Sequence, residues 1–175
     1  SILTNSVDFL KKSESELLDK EKKFRKIFNS SPAGILLLSS SGRIVHYNEA
    51  IKKIFGLIDP DEILNLDVIE SPNSTEWFKA RIKKYHSVSV EFKYDFDLIR
   101  STGFYKTWRE GEIIIDASFY PFSIHSGEDE PGYVCYIIDV TQSRKILHNK
   151  CETARRYEVI LDSIRDGLWE WRLED

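Results

Sequence analysis

The side chains best suited to chemistry in this 175-residue chain are scattered. His46, His86, His125 and His148 share no ligand spacing with Cys135 or Cys151, so a metal site is not expected. There is no Gly-rich phosphate loop, no Ser or Cys nucleophile with a matched His, and no nucleotide fingerprint. The acidic run Gly127-Glu128-Asp129-Glu130 reads as a solvated turn tip rather than a carboxylate pair for hydrolysis. These absences argue against an enzyme. One pair stands apart: Trp77 and Arg81 are four residues apart in a helical stretch and share a face. An arginine fork there can hold a carboxylate through two hydrogen bonds. The competing reading puts the tryptophan in the core and leaves Arg81, between Ala80 and Ile82, solvated.

The elements that position such residues begin with composition. Apolar residues make up 41% of the chain and aromatic residues 13%, ample for a packed core of one domain with an attached element. The net charge of −4, from 25 basic and 29 acidic residues, argues against a nucleic-acid partner. Two lone cysteines without a C-x-x-C suit a reducing cytoplasm better than secretion. No apolar run approaches the ~18 residues of a membrane span. The chain contains no Met, which is expected of a processed chain or a piece of a longer protein.

From Ser6 to Asn29 the pattern is helical and charged, with Leu3, Leu10, Leu17 and Phe24 recurring every seven residues. That is half a coiled-coil seam, and it reads equally as an amphipathic helix on its own domain or as a dimer helix. Pro32 ends it. Ala33 to Ser39 and Ile44 to Tyr47 have strand length and composition, joined by the Ser40-Ser41-Gly42 turn. Asn48 has the character of an N-cap for a helix closed by Gly56. Asp59-Pro60-Asp61-Glu62 starts another helix in capping-box fashion, and residues 76–86 form a third. Val88, Val90, Phe92, Tyr94, Phe96 and Leu98 alternate as a half-buried strand that Ser101-Thr102-Gly103 turns back. Two further strands follow, Glu112 to Ile124 and Tyr133 to Val140. From Gln142 a charged helix returns, with Ile146, Thr153 and Ile160 at sevenfold spacing. Strand runs separated by a helical group predict an α+β fold with an antiparallel sheet and helices on one face.

In this order the elements resemble a PAS domain, the sensory module of signalling proteins, over Phe24 to Thr141. The carriers are Gly42 to Gly56 (GRIVHYNEAIKKIFG), with Asn48 at the frequent capping position. Glu110-Gly111 before the fourth strand and the closing Asp139-Val140-Thr141 complete the pattern. The stretch from Asp95 to Trp108 is longer than usual for the family, so the third and fourth strands are expected to extend as a hairpin beyond the common core. The resemblance implies a five-stranded antiparallel sheet whose inner face and short helices enclose a small cavity, flanked by N- and C-terminal helices. A small organic ligand there would be lined by Phe55, Trp77, Arg81, Phe92, Tyr94, Phe119 and Cys135; the alternative is a core filled by its own aromatics. Some PAS domains hold haem through a histidine near the position of His86, but a His at a helix end is more often placed by the dipole, and haem is not expected. The light-sensing subclass needs a cysteine in the helical segment; none precedes Cys135, so covalent flavin is not expected either.

Sliding the tail without gaps so that Gly167 falls on Gly34 brings Tyr157 onto Phe24, Ile160 onto Ile27, Ser163 onto Ser30 and Leu168 onto Ile35. The tail thus resembles the start of a second PAS domain, with Gly167 to Trp171 as its first strand and Trp169 and Trp171 seeking something to pack against. The expected organisation is a linker helix at 1–23, the PAS domain at 24–141, a connecting helix at 142–160 and a truncated second domain at 161–175. Asp139, Thr141 and Arg144 stand where the last strand becomes a helix, as cap or as signal relay. The expected setting is cytoplasmic: a homodimer through the flanking helices, in a sensor kinase or cyclic-dinucleotide enzyme with tandem PAS and output domains. A ligand-free dimerisation scaffold is the alternative.

Overall fold

The computed structural model describes residues 2–82, 87–123 and 131–170. The chain divides into two compact units, Ser1–Ile138 and Asp139–Asp175. The first contains α1 (Ile2–Ser30), β1 (Gly34–Leu38), β2 (Ile44–Tyr47), α2 (Glu49–Phe55), a 3₁₀ turn (Pro60–Ile63) and α3 (Glu76–Ile82). It continues with β3 (Val88–Asp95), α4 (Phe96–Thr102), β4 (Glu112–Phe122) and β5 (Gly132–Asp139), whose last residue already belongs to the second unit. The second is essentially one helix, α5 (Thr141–Glu170).

The strands form one antiparallel sheet in the order β2-β1-β5-β4-β3. Period-two alternation sorts its faces: Ile113, Ile115, Ala117 and Phe119 of β4 point inward, as do Tyr133, Cys135 and Ile137 of β5. Register is continuous from Val88↔Phe119 to Asp95↔Glu112, and from Gly34↔Ile137 to Leu38↔Tyr133. The core lies between this face and the helices, with Ile51, Phe96, Ile99 and Cys135 fully buried. At Gly34 a Cβ would press on the Ile51 side chain at 2.6 Å, so glycine is what lets α2 lie close on β1. This is the α+β architecture expected from the strand and helix order.

Asn48 does more than cap. Its Oδ1 accepts from Ile35 N–H at 2.9 Å and Ile51 N–H at 3.4 Å, while Nδ2 donates to the carbonyls of Phe28 and Ala33, both at 2.9 Å. One fully buried amide thereby uses all four of its hydrogen-bonding positions to join the end of α1, the start of β1 and the start of α2.

Three expectations are corrected. The long alternating strand stops at Asp95, and Phe96 and Leu98 lie on helix α4 instead of on an extended hairpin. Asp95 Oδ1 accepts from the N–H groups of Asp97 and Leu98 at 2.8 and 3.1 Å, and Gly103, at φ 64°, closes the helix in the left-handed region. Phe96 and Ile99, three apart, bury the same side of it. Second, Asp59 makes no side-chain cap bond, and the segment is a single 3₁₀ turn. Glu62 instead accepts from Lys106 N–H at 3.0 Å, holding the loop after α4. Third, α5 runs unbroken through residues 161–170, so Gly167 to Glu170 is helical rather than a strand. A lone strand leaves its backbone groups without partners, whereas a helix satisfies them within itself. Trp171 lies outside the described residues.

Candidate functional site

Between the sheet and the helices lies a cavity of about 90 Å³. Of the expected lining, Phe55, Phe92, Tyr94 and Phe119 surround it. Cys135 is fully buried on β5, paired in register with Leu36, but does not line the cavity. Burial pushes its thiol well above the ordinary range, which makes it an inert core residue. The Trp77 and Arg81 side chains lie outside the described residues, as do His86 and His125. His46 is exposed on β2, and His148 faces Glu152 at 3.6 Å along α5. Among the described residues no cluster of three metal-ligating side chains is found, and no helix is long and apolar enough to cross a membrane.

The structure adds Tyr105, Ser71, Ile115 and Ile137 to the wall. Tyr105 arrives through the corrected segment: α4 reverses the chain, and Thr107 Oγ1 donates to the Phe55 carbonyl at 2.7 Å, fastening the loop to the end of α2. The Tyr94 and Tyr105 hydroxyls meet at 3.1 Å. Burial pushes both phenols far above the ordinary tyrosine value, and for Tyr105 its neighbour Tyr94 adds to the rise. The rings of Phe55 and Tyr94 pack edge to face at 5.0 Å, and those of Phe78 and Phe119 lie 4.7 Å apart. A second cavity, of about 70 Å³, shares Val68, Ser71, Phe92 and Phe119 with the first and continues toward Ser74, Thr75 and Phe78. The segment Ser71 to Thr75 reads in sequence only as a chain breaker, which hides its place in the wall.

At the far end of β5, Asp139 Oδ1 accepts from Thr141 N–H at 3.0 Å and the Arg144 amide donates to the Val140 carbonyl at 2.9 Å. Asp139 therefore closes the start of α5 as an Asx turn.

Residues 22–85 match a family model described as PAS domain. No curated protein matches the chain in sequence. In structure the chain is similar to the PAS domain of an HTR-like protein from Haloarcula marismortui, with TM-score 0.55 and 17% identity over 74% of this chain and 98% of that one. It is also similar to the PAS domain of a protein from Colwellia psychrerythraea, with TM-score 0.53 and 14% identity over 69% and 97%. A third likeness, to an RNA-binding light-oxygen-voltage receptor, has TM-score 0.57 and 11% identity over 77% of this chain and 37% of that one. The five-stranded sheet with its helices has the fold of PAS domains, and residues 22–85 match that family's model.

Proposed function

We propose that this chain is the sensory PAS module of a larger signal-transduction protein of the sensor histidine kinase or diguanylate cyclase type, and that it responds to a small molecule held in the cavity. One observation carries the reading: Ile137 lines the cavity, and the strand that bears it, β5, ends at Asp139, from which α5 starts. A ligand that displaced Ile137 would move the strand feeding α5, and Asp139, Thr141 and Arg144 would act as the joint. Differential contact with two states of β5 is what would make the ligand a signal. The module would work as a homodimer through its flanking helices, beside tandem PAS and output domains of the parent protein. The exposed seam of Leu10 and Leu17 on α1 supports the dimer and, taken alone, also suits a ligand-free scaffold.

Native mass spectrometry with an absorption spectrum on the purified chain tests the reading. Bound mass or colour on a dimer supports it. A clean apo dimer whose melting temperature resists a broad small-molecule screen overturns the ligand and leaves the scaffold.

A further inference from the structure

The two cavities differ in what they can satisfy. In the larger one the Tyr94 and Tyr105 hydroxyls pair with each other at 3.1 Å, and nearly all of the remaining free wall is carbon. In the smaller one Asn73 is engaged twice with the Asp95 backbone, at 2.9 and 3.3 Å, and Thr75 Oγ1 accepts from Phe78 N–H at 3.2 Å. Ser74 is the exception. Ser74 lines that cavity, and its Oγ is shut off from solvent with no hydrogen-bond partner among the described residues. A buried hydroxyl left unpaired is costly, and native structures rarely keep one without a role. Among the described residues no charged side chain lines either cavity, so an ionised carboxylate or phosphate finds no counter-charge among them.

We propose that the two cavities form one chamber for a small, uncharged amphiphile: a single aromatic ring, or an apolar body of that size, carrying one hydrogen-bonding group that pairs with Ser74 Oγ. The size follows from the volumes, about 90 and 70 Å³, which together are on the scale of the ~150 Å³ apolar cavity that holds benzene. The rings of Phe92 and Phe119 belong to both walls, so a rotation of either joins the lobes. The ring would sit among Phe55, Phe92 and Phe119, and the polar group would reach past them to Ser74. This rests on the ligand reading above and adds to it the chemical class and the recognising residue.

Phenol and toluene, equal in size and differing in one hydroxyl, test it by calorimetric titration against the full chain, the Ser74→Ala variant and the cavity-filling Ala117→Val variant. Phenol should bind the full chain about 3- to 10-fold more tightly than toluene, the contribution of one neutral hydrogen bond. Ser74→Ala should bring phenol down to toluene's affinity while leaving toluene unchanged, and it should melt no lower than the parent because the lost hydroxyl has no partner. Ala117→Val should weaken both. Equal binding of the two probes, insensitive to Ser74→Ala, overturns the Ser74 assignment but keeps an apolar ligand chamber. Failure of both probes to bind, unchanged by either substitution, overturns the chamber and the ligand reading with it.

Discussion

Tyr94 and Tyr105 touch hydroxyl to hydroxyl at 3.1 Å, inside a wall that is otherwise nearly all carbon. They come from a strand and from the loop after α4, so this bond pins the inserted segment to the sheet. Each polar tip is bearable in that setting only because the other satisfies it. Tyr94→Phe or Tyr105→Phe alone should destabilise the domain by about 1–3 kcal/mol, since each leaves a buried partner short. The double variant should lose less than the two singles added together. Urea unfolding in a double-mutant cycle measures this, and strict additivity would count against a shared bond.

The same pair predicts an alkaline effect. Both phenols titrate higher in the folded domain than in the unfolded chain, where they lose protons near pH 10. Above that pH the unfolded state holds fewer protons than the folded one. The contribution is therefore complete below pH 10 and is lost as pH rises, at up to about 1.4 kcal/mol per pH unit for each tyrosine. The double Phe variant should show a visibly shallower fall in urea midpoint above pH 10 than the parent.

Asn48→Ala should be among the most damaging single changes. It removes the side-chain partner of the Ile35 amide and of the Phe28 carbonyl, while Ile51 N–H keeps the Asn48 carbonyl and the Ala33 carbonyl keeps Ser31 Oγ, and a loss of about 2–4 kcal/mol is expected. Asn48→Asp should be nearly as severe, because a carboxylate cannot donate to the carbonyls of Phe28 and Ala33. Hydrogen exchange at Ile35 N–H reads the effect directly, and protection kept there in Asn48→Ala would rule out the junction.

Helix α4 depends on its two ends. Asp95→Ala should cost about 1 kcal/mol by removing both cap bonds. Gly103→Ala should cost about the same for a different reason. A methyl there meets open space, so only the left-handed backbone is strained. Chemical denaturation of the two variants gives the values; no effect from Gly103→Ala would mean that the chain relaxes out of the left-handed region.

Leu10 and Leu17 are 65% and 69% exposed, a poor arrangement for an isolated helix and a good one for half of a seam. Replacing both with Glu should convert a dimer to a monomer in native mass spectrometry while the melting of the sheet domain stays within a few degrees. An unchanged mass would remove α1 from the dimer contact.

Much of the sheet was legible in the chain because its signal is local. Ile113, Ile115, Ala117 and Phe119 alternate strictly, and Asn48 to Gly56 carries its start and stop in single residues. The segment from Phe96 to Thr102 misled because Tyr94, Phe96 and Leu98 continue the period of two, while the helix there is marked only by Asp95 and Gly103. Phe96 and Ile99 satisfy a helical spacing as well, and burial against the core decided between the two. The tail misled for the opposite reason. Its likeness to the domain start speaks for a strand, but a strand must have a partner, and a continuous helix needs none.

Sequence alone determined the α+β class, the order of the five strands along the chain, the capping role of Asn48 and four of the cavity's aromatic walls. The first three follow from side-chain type and spacing over a few residues, and the walls from the likeness to the PAS family. Only the tertiary structure decided that Tyr105 joins Tyr94, that Cys135 stays out of the cavity, and that Ser74 ends with its hydroxyl sealed and unpaired among the described residues. Those outcomes depend on which distant segments exclude water together, and no local pattern encodes that.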